Sequence, residues 1–180
     1  MRQTIRKWFW AWDFEKEEKW LNELSAKGLA LVAVGFCKYT FEEGVPGEYN
    51  VRLELLEHAP THAQSRQYIQ FVEETGAEYL GAVLRWVYFR KKTAQGEFSL
   101  YSDNASRIRH LNRLLALIGI VSLPNLCFGI SHLFSRIGVG FGAYFTTGFL
   151  NLAFGLLGSY GFLRISRRKR ALKKEQSVFE

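Results

Sequence analysis

Cysteine is nearly missing from this sequence: Cys37 and Cys127 are the only two, one in a polar region and one in an apolar run. That excludes a disulfide framework and suits a reducing compartment. An uninterrupted apolar leader is missing too. Met1 to Trp12 is broken by Arg2, Arg6 and Lys7, and Asp13 to Lys19 is densely charged, so no export signal is expected there. Walker, Rossmann and zinc spacings do not occur. Gly138, Gly140 and Gly142 echo a phosphate loop but follow no soluble strand. His58 and His62 stand four apart, yet Pro60 between them argues against one helix presenting both to a metal. Cys37 lies in an apolar run that reads as strand, which makes it a small core residue rather than a thiolate nucleophile. With no nucleophile and base, no ligand cluster and no acid/base pair in view, neither catalysis nor a metal or cofactor is expected.

Charge is absent from two long stretches, Leu114 to Phe134 and Ile137 to Leu163, separated only by Ser135 and Arg136. The first has 21 residues, which as a helix extend about 31 Å, the thickness of a bilayer's hydrocarbon core. The second has 27, so Ile137 to Gly142 is expected to form the turn of a two-span hairpin with spans at 114–134 and 142–163. Residues 1–112 hold 15 basic and 15 acidic side chains, whereas residues 113–180 hold 9 and 2, so the net charge of +7 belongs to the apolar part. Arg107, Arg109 and Arg113 precede the first span. Arg164, Arg167, Arg168, Lys169, Arg170, Lys173 and Lys174 follow the second, and Arg136 stands alone between them. The positive-inside rule then predicts a multi-pass protein of the cell membrane with both termini cytoplasmic. The basic cluster, read as a tail over 167–180, suits an anionic leaflet. No Asp, Glu, Lys or Arg lies within either stretch, which argues against ion or proton relay by this chain alone. Asn125 and Asn151 are equidistant from Gly138, and the expectation is a hydrogen bond between them across the helix pair. Two small-residue pairs, Gly138 with Gly142 and Gly155 with Ser159, would allow close approach.

The region before the apolar stretches, residues 1–105, alternates strand and helix signals. Trp8, Trp10 and Trp12 alternate within a strand expected at Thr4 to Trp12. Asp13 is placed to cap a helix that Gly28 ends. Leu29 to Phe41 and Glu48 to Leu56 read as a hairpin turning at Glu43 to Gly47. Thr61 would cap a second helix ending at Gly76, and Ala77 to Lys92 reads as the last long strand, with Phe98 to Tyr101 a short edge strand at most. The resulting βαββαβ order is that of a ferredoxin-like α+β domain with one four-stranded antiparallel sheet. Asp103 would cap a helix running through 106–113 into the first span. No internal sequence repeat is visible.

Several segments together resemble a known family. They are Trp8 to Glu17 with Trp20, Leu21 and Gly28, then Tyr39 to Glu42, Glu74 to Glu78, Trp86 to Lys91, and Leu100 to Asp103. Over residues 4–110 the chain resembles the bacterial family catalogued as domain of unknown function 2812. The resemblance implies membrane spans after the domain and a neighbourhood of PadR-type transcription regulators. It carries over no catalytic residue.

All five tryptophans fall in the N-terminal region. Trp8, Trp10, Trp12, Trp86 and Tyr88 are therefore the candidate face for a partner or ligand, on the side of the sheet opposite its helices, with Trp20 in the core. The region's zero net charge argues against nucleic acid. The function expected is a membrane-anchored, non-catalytic regulatory or sensory module. A protein partner, a second copy, a small effector or the membrane surface would each satisfy its aromatic face, a protein contact first among them. The alternative is an accessory subunit of a membrane transport or envelope-stress complex.

Overall fold

The computed structural model describes residues 2–101, 103–134 and 141–176. The chain divides into two compact units, Met1–Asp103 and Asn104–Glu180.

The first unit begins with strand β1 (Arg2–Arg6), a short 3-10 turn at Ala11–Asp13 and helix α1 (Phe14–Ala26). Phe14, Glu17, Leu21 and Ser25 recur every three or four residues along α1 and are its buried side. Gly28, at φ +85°, ends the helix and donates its N–H to Ser25 O at 2.9 Å. Strands β2 (Leu29–Gly35), β3 (Lys38–Glu43) and β4 (Tyr49–Leu55) follow, then α2 (Ala63–Glu74), β5 (Glu78–Val83) and β6 (Trp86–Lys92). The cap of α2 is His62, not Thr61: its Nδ1 accepts from the Gln64 N–H at 3.4 Å.

The fold is α+β, but the ferredoxin-like order with its single four-stranded sheet is not the one observed. Two three-stranded antiparallel sheets form, ordered β1-β3-β2 and β4-β6-β5. Each of the two longest expected strands, 29–41 and 77–92, is in fact a tight hairpin. The turns lie at Phe36–Cys37 and Leu84–Arg85, where Cys37 and Leu84 take φ +52° and +56°. Cys37 is thus a half-buried turn residue and not a core strand residue. The loop 43–47 carries the chain from one sheet to the other instead of closing a hairpin. Phe98 to Tyr101 adds no strand; Phe98 is buried in the core of the second sheet with Ile69, Val72, Val87 and Phe89.

Read this way, the element order is βαββ twice. Each half has the same strand order and a glycine at φ +85° or +88° after its helix. Each also has a register shift in its second strand, at Leu31/Ala33 and at Tyr79/Gly81. The repeat lies in the wiring, which is why residue identities do not display it. The two sheets approach at β2 and β5, where a Cβ on Gly81 would stand 3.3 Å from Val34 Cγ2, and Arg90 of β6 donates to Leu31 O at 2.9 Å.

Helix α1 joins the halves. Its Asn22 side chain donates to Val51 O at 3.0 Å and accepts from the Val51 N–H at 2.8 Å. Ser25 Oγ donates to Tyr49 O at 2.6 Å, and Glu18 accepts from the Leu53 N–H at 3.4 Å while pairing with Arg52 at 3.0 Å. Residues 18, 22 and 25 form one helical stripe, and 49, 51 and 53 are the outward groups of β4. The free edge of that strand is thereby satisfied by side chains.

The second unit is a pair of long helices, α3 (Asn104–Phe134) and α4 (Phe141–Gln176), both long and apolar enough to cross a membrane. The turn expected at Ile137 to Gly142 lies largely in 135–140, outside the described residues, as does Gly138 of the first small-residue pair. α4 continues through the basic cluster to Gln176.

Candidate functional site

The expected aromatic face divides into two places. β1 stops at Arg6 because its partner there, Lys38, is the first residue of β3, so no strand remains for Trp8, Trp10 and Trp12 to pair with. They lie instead in the segment leading to α1, held near the β2–β3 turn by the Lys7 N–H donating to Cys37 O at 3.2 Å. Phe36 meets Trp8 edge-on at 5.9 Å, Trp8 meets Trp10 edge-on at 5.4 Å, and Trp10 stacks flat on Trp12 at 5.1 Å. Phe36 is 70% exposed, Trp8 56% and Trp10 38%, while Trp12 is buried beneath them. Phe36 is missing from the sequence-derived set because nothing in Val34-Gly35-Phe36-Cys37 marks a turn tip.

Trp86 and Tyr88 do not join this patch. They share one face of β6, but α1 covers that face: Trp86 packs on Phe14 at 5.8 Å, and the buried Tyr88 hydroxyl donates to Glu17 Oε1 at 2.6 Å. Tyr39, from the other sheet, donates to the same oxygen at 2.7 Å. Burial pushes the Glu17 carboxyl's pKa up, and its two phenol donors only partly offset that. Both phenols are pushed up as well, by burial and by the neighbouring carboxylate. The group ties α1 to both sheets. The sequence contains one sign of it, since Glu17 lies three residues after Phe14 and four before Leu21, on the apolar side of α1. Trp20 is half-buried rather than a core residue. It packs edge-on against Tyr39 at 5.1 Å with the Lys7 ammonium 4.5 Å above its ring.

His58 and His62 do come together, with ring centroids 4.3 Å apart, although no single helix carries both. One His62 nitrogen is occupied as the α2 cap, and no group of three metal-ligating side chains occurs among the described residues. An open groove of about 430 Å³ lies beside them, lined by Pro60, Thr61, Arg66, Ile69, Glu73 and Tyr79.

In the helical unit α3 and α4 meet at small residues. A Cβ on Gly129 would stand 2.6 Å from Leu152 N, and one on Gly155 would stand 2.7 Å from Leu126 Cγ. One on Gly158 would stand 2.0 Å from Ser122 Oγ. The levels 122/158, 126/155 and 129/152 centre the hairpin near residue 140, not 138. Asn125 is thus level with about residue 155 or 156 and not with Asn151. Each amide instead donates within its own helix, Asn125 to Val121 O at 2.7 Å and Asn151 to Thr147 O at 3.0 Å. Gly155 of the second small-residue pair is on the seam, whereas Ser159 donates to Gly155 O at 2.8 Å within α4. Arg164, Arg167, Arg168, Lys169, Arg170, Lys173 and Lys174 are spread along the last turns of α4, where Ile165 is the buried position.

Among family models, one described as "Protein of unknown function (DUF2812)" matches residues 13–123. No curated protein and no solved structure matches the chain.

Proposed function

The chain belongs to the family of proteins of unknown function DUF2812, and from that premise we propose that it is a membrane-anchored, non-catalytic regulatory or sensory module. Its α3–α4 hairpin spans the bilayer, both termini are cytoplasmic, and its N-terminal unit binds a protein partner or a small effector. The observation that carries the reading is the outer surface of the hairpin. Ile120, Val121, Phe128, Phe149, Leu150 and Phe154 are all exposed there, on helices long and apolar enough to cross a membrane. A surface of that kind calls for an apolar surrounding. The non-catalytic part is supported by how the N-terminal unit uses its polar side chains. Glu17, Glu18, Asn22 and Ser25 hold strands in place, and Tyr68 donates to the buried Glu54.

Carbonate extraction and vesicle flotation test the anchor, with the chain expected to stay with the lipid; release into the aqueous fraction would end the membrane reading. Crosslinking from native membranes tests the partner. Recovery of a soluble regulator, a transcription factor among the possibilities, supports a module of this kind. Recovery only within a large integral assembly would make the chain an accessory subunit, a role for which exposed Phe128, Phe149 and Phe154 supply a docking surface.

A further inference from the structure

Trp8, Trp10 and Phe36 form a continuous aromatic strip, exposed and linked ring to ring at 5.4 and 5.9 Å. Scattered exposed apolar residues are ordinary, but three large aromatic rings in contact are a patch that something covers. The cations of the neighbouring chain point to what. Arg6, Lys7 and Lys38 lie in residues 2–12 and 29–41, which contain no Asp or Glu, whereas Arg2, at the far end of β1, pairs with Glu42 at 2.5 Å. Arg6 and Lys38 are direct register partners at the end of sheet β1-β3-β2 that carries the strip. Tryptophan and phenylalanine beside Lys and Arg, with no acid between them, is the chemistry of a bilayer's headgroup zone. The rings enter the polar-apolar boundary there, and the cations meet lipid phosphates.

We propose that this strip is a second membrane contact, by which the N-terminal unit lies against an anionic leaflet through Trp8, Trp10 and Phe36. The proposal rests on the membrane reading above, because covalent attachment to a spanning hairpin keeps the unit close to lipid. A contact too weak to hold a free protein is then populated by effective concentration. A protein partner for the regulatory unit would in that case engage another surface, or compete with lipid for this one.

The full chain, reconstituted in vesicles of phosphatidylcholine and phosphatidylglycerol, provides the test. The readout is quenching of tryptophan emission when the phosphatidylcholine chains are brominated close to the headgroup. A chain retaining only Trp8, with W10F, W12F, W20F and W86F, is expected to lose about half its emission to the bromine atoms, as a ring seated in the interface would. Because four substitutions in one unit can impair folding, W8F/W10F in the otherwise native chain is the second arm. It should abolish most of the quenching seen in the native chain. Replacing phosphatidylglycerol with phosphatidylcholine should weaken the quench, as should added salt. Equal quenching of the native chain and W8F/W10F would overturn the proposal. So would a quench indifferent to lipid charge. So would emission that shifts only with protein density, which would place a second copy on the strip. Failure of the chain to float with vesicles at all would instead remove the membrane reading on which the proposal stands.

Discussion

Glu17 sits buried between two tyrosines in the N-terminal unit, whereas Phe128, Phe149 and Phe154 stand exposed along the helical one. The two units differ in what they place inside and outside. In the first, polar side chains close the sheet edge and link the sheets, and large residues such as Leu21, Phe41 and Phe89 fill the interior. In the second, Gly129, Gly148, Gly155 and Gly158 form much of the seam, Leu114, Ile118 and Ile165 are buried, and Phe128, Phe149 and Phe154 point outward. The difference lies in packing: large apolar side chains fill the interior of the first unit, and glycines bring the backbones together along much of the second unit's seam.

Substitutions can break that comparison. The largest expected effect is Phe41→Ala, in a fully buried residue of β3. It should cost the N-terminal unit about 3 to 5 kcal/mol, read by denaturant titration of tryptophan emission, while helical circular dichroism from α3 and α4 persists. Loss of both signals together would show one cooperative body. Next is Gly129→Ala, whose methyl would stand 2.6 Å from the Leu152 backbone nitrogen. A cost of about 1 to 3 kcal/mol to the helix pair is expected in detergent titrations. Gly119→Ala is the control, since its methyl meets only Phe162 Cε2 at 3.8 Å; equal costs for the two would refute a glycine seam.

A smaller effect is expected of Glu17→Gln, which keeps the acceptor oxygen and removes the charge. The folded-state pKa of Glu17 is raised, so the folded protein holds its proton more tightly than the unfolded chain. Stability present in acid is therefore lost as pH rises from the usual carboxyl value through the raised one. The variant's stability relative to the native chain should rise over that interval and level off above it. A flat difference would mean that the carboxylate is not paying for burial. The smallest effect concerns Asn125 and Asn151. As each donates within its own helix, a double-mutant cycle to alanine should give a coupling near zero, well below the roughly 0.6 kcal/mol typical of polar pairs between membrane helices.

Where the sequence was legible, the residue itself carried the geometry. Gly28 and Gly76 end their helices at positive φ, as glycines after amphipathic runs do. The hairpin turns were not legible because Cys37 and Leu84, not glycine or asparagine, take the positive-φ positions. Two hairpins therefore read as two long strands, and the six-stranded, twice-wired arrangement as a four-stranded one. Trp8, Trp10 and Trp12 alternate like a strand because alternation survives in any extended segment; the end of β3, not their own pattern, stops the pairing. Of the five residues expected to share a face, Trp8 and Trp10 remain at the surface. Trp86 and Tyr88 failed the expectation because the identity of the covering helix depends on contacts distant in sequence.

The stripe of Glu18, Asn22 and Ser25 on β4 has a consequence for synthesis. Asn22 precedes Val51 by 29 residues, so during translation the helix leaves the ribosome well before the strand it completes. When β4 emerges, the side chains that satisfy its open edge are already waiting in the same molecule. A crowded polysome then offers little chance for β4 of one nascent chain to pair with β4 of another.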